Sequence, residues 1–144
     1  MSKELIKLFA SVDRTLKMNL QGLTHADSIK HIENCNSINW IVGHIVVSRN
    51  GVLALMNLPP VASDKLKTVY ERGSKMMTDM GNAENLDTLV KLFDEAQQRI
   101  LEGANHTYND EVTDKLTFLG FHEGYHVGQV ATMRKLLGKE GAIK

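Results

Sequence analysis

Four separated stretches of this chain carry apolar residues every three or four positions, and none shows the alternation of a half-buried strand. The first runs over about residues 3–21, with Leu5, Phe9, Val12, Leu16 and Leu20 on one face and Gly22 as its stop. The second starts at Asn36 or Ser37, either of which can cap it, and continues to about Asn57. Between Ile38 and Val47 it is apolar nearly all round, as in a helix covered on several sides. The third spans about 86–102, with Leu86, Leu89, Val90, Phe93, Ala96 and Ile100 as its stripe and Gly103 beyond its end. The fourth is expected from Asp114 to Leu137, capped by Thr113 and stopped by Gly138.

The links between these stretches are polar. Residues 23–36 read as a loop. Pro59-Pro60 opens a connection of nearly thirty residues, within which Ser63, Leu66, Val69 and Tyr70 suggest a short helix. The expected fold is all-α: a single domain over 1–144, folded as a four-helix bundle. The long crossover connection between helices 2 and 3 would let those two run parallel.

Composition limits the partners. Lys plus Arg and Asp plus Glu each number 17, so the formal charge is zero and the basic excess of a nucleic-acid or anionic-membrane binder is missing. No apolar run nears the roughly 20 residues of a membrane span, and charges interrupt the N-terminal stretch where a signal core would lie. The single Cys35 excludes an intramolecular disulfide and fits a reducing compartment, so a cytoplasmic location is expected. Its expected setting is a small, semi-buried position.

The chemistry-bearing segment is Phe-His-Glu-Gly-Tyr-His, residues 121–126. At 3.6 residues per turn, His122 and His126 stand one above the other on one helix face, so both rings can reach one ion. His44 lies in the most apolar helix, where a polar ring needs a hydrogen-bond or metal partner. Together the three predict one divalent metal site with open positions, as catalytic sites have. Three imidazoles suit zinc or nickel, and also iron or copper. Such an ion acidifies water or a thiol near neutral pH, which serves hydrolysis and thiol transfer equally. His25, His31 and His106 fall in predicted loops and are not expected to bind.

The segment also spells H-E-x-x-H, the zinc-protease motif with Glu123 as general base. Only 18 residues follow His126, too few for the usual downstream third ligand, and Glu140 lies past the helix-ending Gly138. The protease reading is therefore the weakest.

The wider pattern His122…His126-Val-Gly128-Gln129, followed by a segment ending Leu137-Gly138, resembles the C-terminal signature of the DinB-like superfamily. Asn36-Ser-Ile-Asn39-Trp40-Ile-Val-Gly43-His44 resembles that family's first metal-ligand segment. The resemblance implies a four-helix bundle with three histidines on a divalent metal, commonly zinc or nickel, and a homodimer. It further implies a small-molecule substrate, with thiol S-transfer using a low-molecular-weight thiol or hydrolysis as the reaction. A non-catalytic metal-binding or stress-response module is the alternative.

Around the helix, Tyr125 and Gln129 lie within about 60° of His122, and Phe118 and Met133 share that face. Gln129 could orient a ligand and Tyr125 could donate a hydrogen bond. Glu123 projects about 100° away, so it flanks the metal at best: it is a candidate catalytic base beside Tyr125 and Gln129, with a solvated or ion-paired role favoured. Trp40 is expected to pack, and Arg134 to be a surface charge. Gly120, Gly124 and Gly128 form a stripe roughly opposite the histidines, each costing about 0.8–1.0 kcal/mol relative to Ala. That cost predicts a helix, of this chain or a second copy, packed closely on the stripe.

Overall fold

The structure, a computed structural model, describes residues 1–74 and 80–142. The described residues are helical, with no strand among them beyond an isolated bridge between Ile32 and Cys35. In chain order the helices are α1 (Lys3–Leu20), α2 (His25–Ser28), α3 (Ile38–Leu55), α4 (Asp64–Tyr70), a 3₁₀ turn (Met80–Asn82), α5 (Leu86–Gly103) and α6 (Asp110–Leu136).

Capping sets most boundaries where the sequence suggests. The Ser37 hydroxyl accepts from Trp40 N–H and opens α3, and Ser63 does the same for α4 through Leu66. Gly22 and Gly138 take positive φ, 75° and 77°, just past the ends of α1 and α6. Two expectations are corrected. The fourth long helix begins at Asp110, not Asp114, because the Asn109 side chain accepts from Val112 N–H and Asp110 and Glu111 suit a first turn. Thr113 is therefore inside the helix. The predicted loop 23–36 holds α2, nucleated by a reciprocal capping box between Thr24 and Asp27. His25 accordingly lies on a helix, where its Nδ1 accepts from Leu86 N–H.

Each of the four long helices packs on two others: α1 on α5 and α6, α3 on α5 and α6. Cross-links fix their directions. Asn39 Nδ2 donates to Glu84 O near the start of α5, and Arg49 Nη1 to Phe93 O further along. A Cβ on Gly103 would meet Met56, so α3 and α5 run parallel. Leu8 lies on Gly120, and Arg134 donates to Asn19 O and Gln21 O, so α1 and α6 run parallel too. Met1 lies at Ala104 and Lys17 at Asp94, which makes α1 antiparallel to α5.

Parallel α3 and α5 require the chain to travel back along the bundle between them. It does so against α3. Asn50 binds both Val61 and Ala62, and Tyr70 reaches Gly43, His44 and Asn39 further back along that helix. This cover explains why α3 is apolar all round. It is the one described helix long and apolar enough to cross a membrane, but 67% of it is buried inside the protein.

The core divides into two apolar clusters. One gathers Val12, Leu16, Trp40, Ile45, Tyr70, Phe93 and Val130; the other Leu5, Phe9, Leu53, Ile100 and Leu116. On α3 and α6 the boundary between them is marked by Arg49 and Glu123, both fully buried. The glycine stripe is packed at one end only. A Cβ on Gly120 would strike Leu8, one on Gly124 would just touch Val12 at 4.0 Å, and one on Gly128 meets nothing within 4 Å.

Candidate metal centre

The three histidines anticipated from sequence come together. His44 extends from α3, and His122 and His126 from consecutive turns of α6, which runs antiparallel to α3. Nε2 of His122 lies 3.3 Å from Nε2 of His44 and 3.0 Å from Nε2 of His126. One nitrogen from each ring falls within a set spanning at most 4.8 Å, an arrangement that could hold a metal ion. Ligand nitrogens about 2.0–2.1 Å from one ion stand about 2.9–3.4 Å apart in octahedral or tetrahedral geometry, so the two His122 distances fit, while the widest separation in the set is larger than one ion spans.

The second nitrogen of two of these rings is fixed. His44 Nδ1 is 2.8 Å from the Tyr70 carbonyl, which can only accept, so Nδ1 carries the proton and Nε2 presents its lone pair. His126 Nδ1 is 2.7 Å from Gln129 Oε1, with the same consequence. Partners of this kind set the tautomer and orientation of metal-binding imidazoles. His122 Nδ1 is buried without a hydrogen-bond partner among the described residues. Trp40 lies flat on His44, ring centres 4.9 Å apart and planes 6° apart, and its Nε1 donates to Ser74 Oγ. Its packing role is thus to hold a candidate ligand.

The Nε2 lone pairs of His44 and His126 both face His122 Nε2. A positive charge on His122 or His126 is disfavoured here. Burial pushes His126 down to about 4, against the pull of its Gln129 bond, and the His122 and His44 rings add to the depression. Burial, His44 and Arg72 also lower His122. His122 and His126 are thereby favoured as neutral imidazoles, the form that a divalent ion requires.

The other sequence candidates separate. Gln129 supports His126, and its Nε2 donates to the Tyr125 hydroxyl at 3.3 Å. Tyr125 is 59% exposed and edges onto the His126 ring. Glu123 faces the opposite way, into the bundle. Its carboxylate takes three hydrogen bonds from Arg49, at 3.0–3.3 Å, while the Arg49 guanidinium lies 3.6 Å over the Phe93 ring. Burial raises its pKa against the pull of Arg49. Glu123 is thus an ion-paired anchor, with both oxygens engaged.

Arg134 clamps the ends of α1 and α6 through Asn19, Gln21 and Glu140 carbonyls. Cys35 is exposed, not semi-buried, because the tight turn closed by Cys35 N–H to Ile32 O turns it outward. It lines a cavity of about 500 Å³ together with Asn34, Asn36, Ile41, Tyr125, Gln129 and Met133. The cavity therefore shares Tyr125 and Gln129 with the histidine cluster.

Tyr70, Gly43 and Arg49 support the site without any role that the sequence pattern assigns them there. Tyr70 acts through its carbonyl, which leaves no side-chain signal. Gly43 leaves room for the Tyr70 ring, into which any Cβ would run. Arg49 did leave a signal, as the only Lys, Arg, Asp or Glu in α3. Compared with known proteins, the chain matches no protein-family model, no curated protein and no solved structure.

Proposed function

We propose that this protein is a DinB-like metalloenzyme, a four-helix bundle that holds one divalent ion on the Nε2 atoms of His44, His122 and His126. The observation that carries the reading is the convergence of those three nitrogens, with two rings held in the ligand tautomer from behind. Zinc or nickel is the expected ion, with iron or copper compatible with the same donors. Bound there, the ion supplies a Lewis acid with open coordination positions.

The chain's own residues supply the rest. The Tyr70 carbonyl and Gln129 hold His44 and His126 in place, and Trp40 stops the His44 ring from turning. Because Gln129 donates to the Tyr125 oxygen, the Tyr125 proton is left to point at a substrate. The neighbouring cavity offers apolar surface at Ile41, Met133 and Leu136 and amide or hydroxyl groups at Asn34, Asn36 and Thr132. That lining suits a small molecule of mixed polarity. Thiol S-transfer from a low-molecular-weight thiol and hydrolysis are the reactions we propose; Glu123, held by Arg49, serves neither as base.

X-ray absorption on the zinc-loaded protein, paired with thiol-transfer and hydrolysis assays before and after chelation, tests this reading. Three imidazole shells and a chelator-sensitive turnover are expected. A spectrum without imidazole scattering would refute the site. Chelator-insensitive turnover would refute the metal's part in the reaction, and no turnover with any electrophile or hydrolysable substrate would refute the enzyme and favour a binding module.

A further inference from the structure

The turn that follows α4 carries an uncommitted cation to the histidine cluster. Its backbone, from Tyr70 to Ser74, is pinned to α3 at both ends. At one end the Tyr70 carbonyl accepts from His44 Nδ1 at 2.8 Å. At the other, Ser74 Oγ accepts from Trp40 Nε1 at 3.1 Å, and the Trp40 ring lies flat on His44. Between these anchors Ser74 N–H donates to Glu71 O and closes a tight turn. Gly73 takes a positive φ of 84°, as the third residue of a type II turn does. Arg72 is the second residue of that turn, so the backbone itself fixes where it stands.

Arg72 is exposed and enters no ion pair among the described residues, although Glu71 precedes it. Its charge nonetheless reaches across to α6, where it is one of the causes that lower His122. A turn anchored on α3 thus holds a guanidinium beside the seam where the rings of α3 and α6 meet.

The charges around that seam do not balance. Three imidazoles bring no negative charge, so both charges of a divalent ion held there stay uncompensated. No carboxylate is among the groups whose charge acts on His122 or His126. Glu123, between those two in sequence, is taken up by Arg49 inside the bundle. The cavity beside His126 has no charged side chain in its lining, so it does not receive an anion either. A free guanidinium next to a divalent ion is unfavourable until an anion joins the two, and its planar fork of donors matches an oxyanion. We propose that Arg72 is a substrate-binding residue of this site, and that the substrate carries a carboxylate or phosphate group which the guanidinium holds against the three-histidine centre. The proposal rests on the metal-site reading above.

Nuclear magnetic resonance on the zinc-loaded full chain tests this without an activity. Trp40 is the chain's one tryptophan, and its indole N–H bonds to the turn that carries Arg72, so its resonance reports on that turn. Titration with acetate or methylphosphonate at constant ionic strength is expected to shift the resonance saturably, and acetamide to leave it in place. The tighter of the two anions identifies the oxyanion. Arg72→Ala is expected to weaken anion binding about tenfold or more, with zinc binding and melting temperature retained. Arg72→Lys keeps the charge without the fork and is expected to fall between. Zinc bound normally but no anion bound by wild type, equal anion affinity in Arg72→Ala, or acetamide binding as tightly as acetate would each overturn the role of Arg72 and leave the metal centre standing. A wild type that binds no divalent ion at these histidines would remove the centre and this proposal with it.

Discussion

Two of the three clustered histidines are held at Nδ1 by groups of the chain itself. The Tyr70 carbonyl fixes His44 and Gln129 fixes His126, so each ring's Nε2 is committed. Gln129→Ala is expected to weaken metal binding about 10–100-fold while leaving the fold intact, as measured by competition with a chromogenic chelator. Unchanged affinity would remove Gln129 from the site. Acid should act through the same rings. The unfolded chain protonates its histidines near 6.5, whereas burial delays His126 to about 4 and lowers His122 as well. Unfolded chain thus binds more protons between those values, so the metal-free protein is expected to lose stability as pH falls from about 6.5 toward 4. Melting curves across that range check it, with a shallower slope expected for His126→Gln. An identical slope in the variant would mean that other groups carry the acid sensitivity.

At the scale of the helices, the Arg49–Glu123 pair joins α3 to α6 and, through Phe93 O, to α5. It lies five residues after His44 and one after His122 in sequence, so it also fixes the rotation that brings those rings together. Arg49→Met strands a buried carboxylate and is expected to cost about 3–5 kcal/mol, whereas Arg49→Met with Glu123→Leu recovers most of the loss. Urea unfolding of the single and double variants measures this, and equal losses in both would contradict the pair's role as an anchor. Gly43→Ala drives a methyl into the Tyr70 ring, with an expected cost of about 1–3 kcal/mol and weaker metal binding through the displaced Tyr70 carbonyl. Much of this level is legible in the sequence. Four stretches of helical period, the Ser37 and Ser63 caps, and the His44, His122 and His126 set all follow from spacing and composition. Other features depend on partners distant in sequence. The start of α6 was hidden because its first turn is polar, and the Tyr70 contact because a backbone carbonyl has no signature. The identity of Glu123 as an anchor needed Arg49, 74 positions away.

At the scale of the molecule, parallel α3 and α5 oblige the intervening chain to climb back along α3, and that return brings Tyr70 to His44. Fold and site are therefore coupled. An ion bound only by the folded chain stabilises it, by about 2.7 kcal/mol at a hundredfold excess over the dissociation constant, or about 5–10 °C in melting temperature for a domain near this size. The most direct measurement is calorimetric titration of metal-free protein with zinc and with nickel, run beside His44→Ala. One ion per chain is expected in wild type for at least one of the two metals, and loss of that binding in the variant. A wild type that binds neither metal, or a variant that binds as tightly as wild type, would contradict a three-histidine centre.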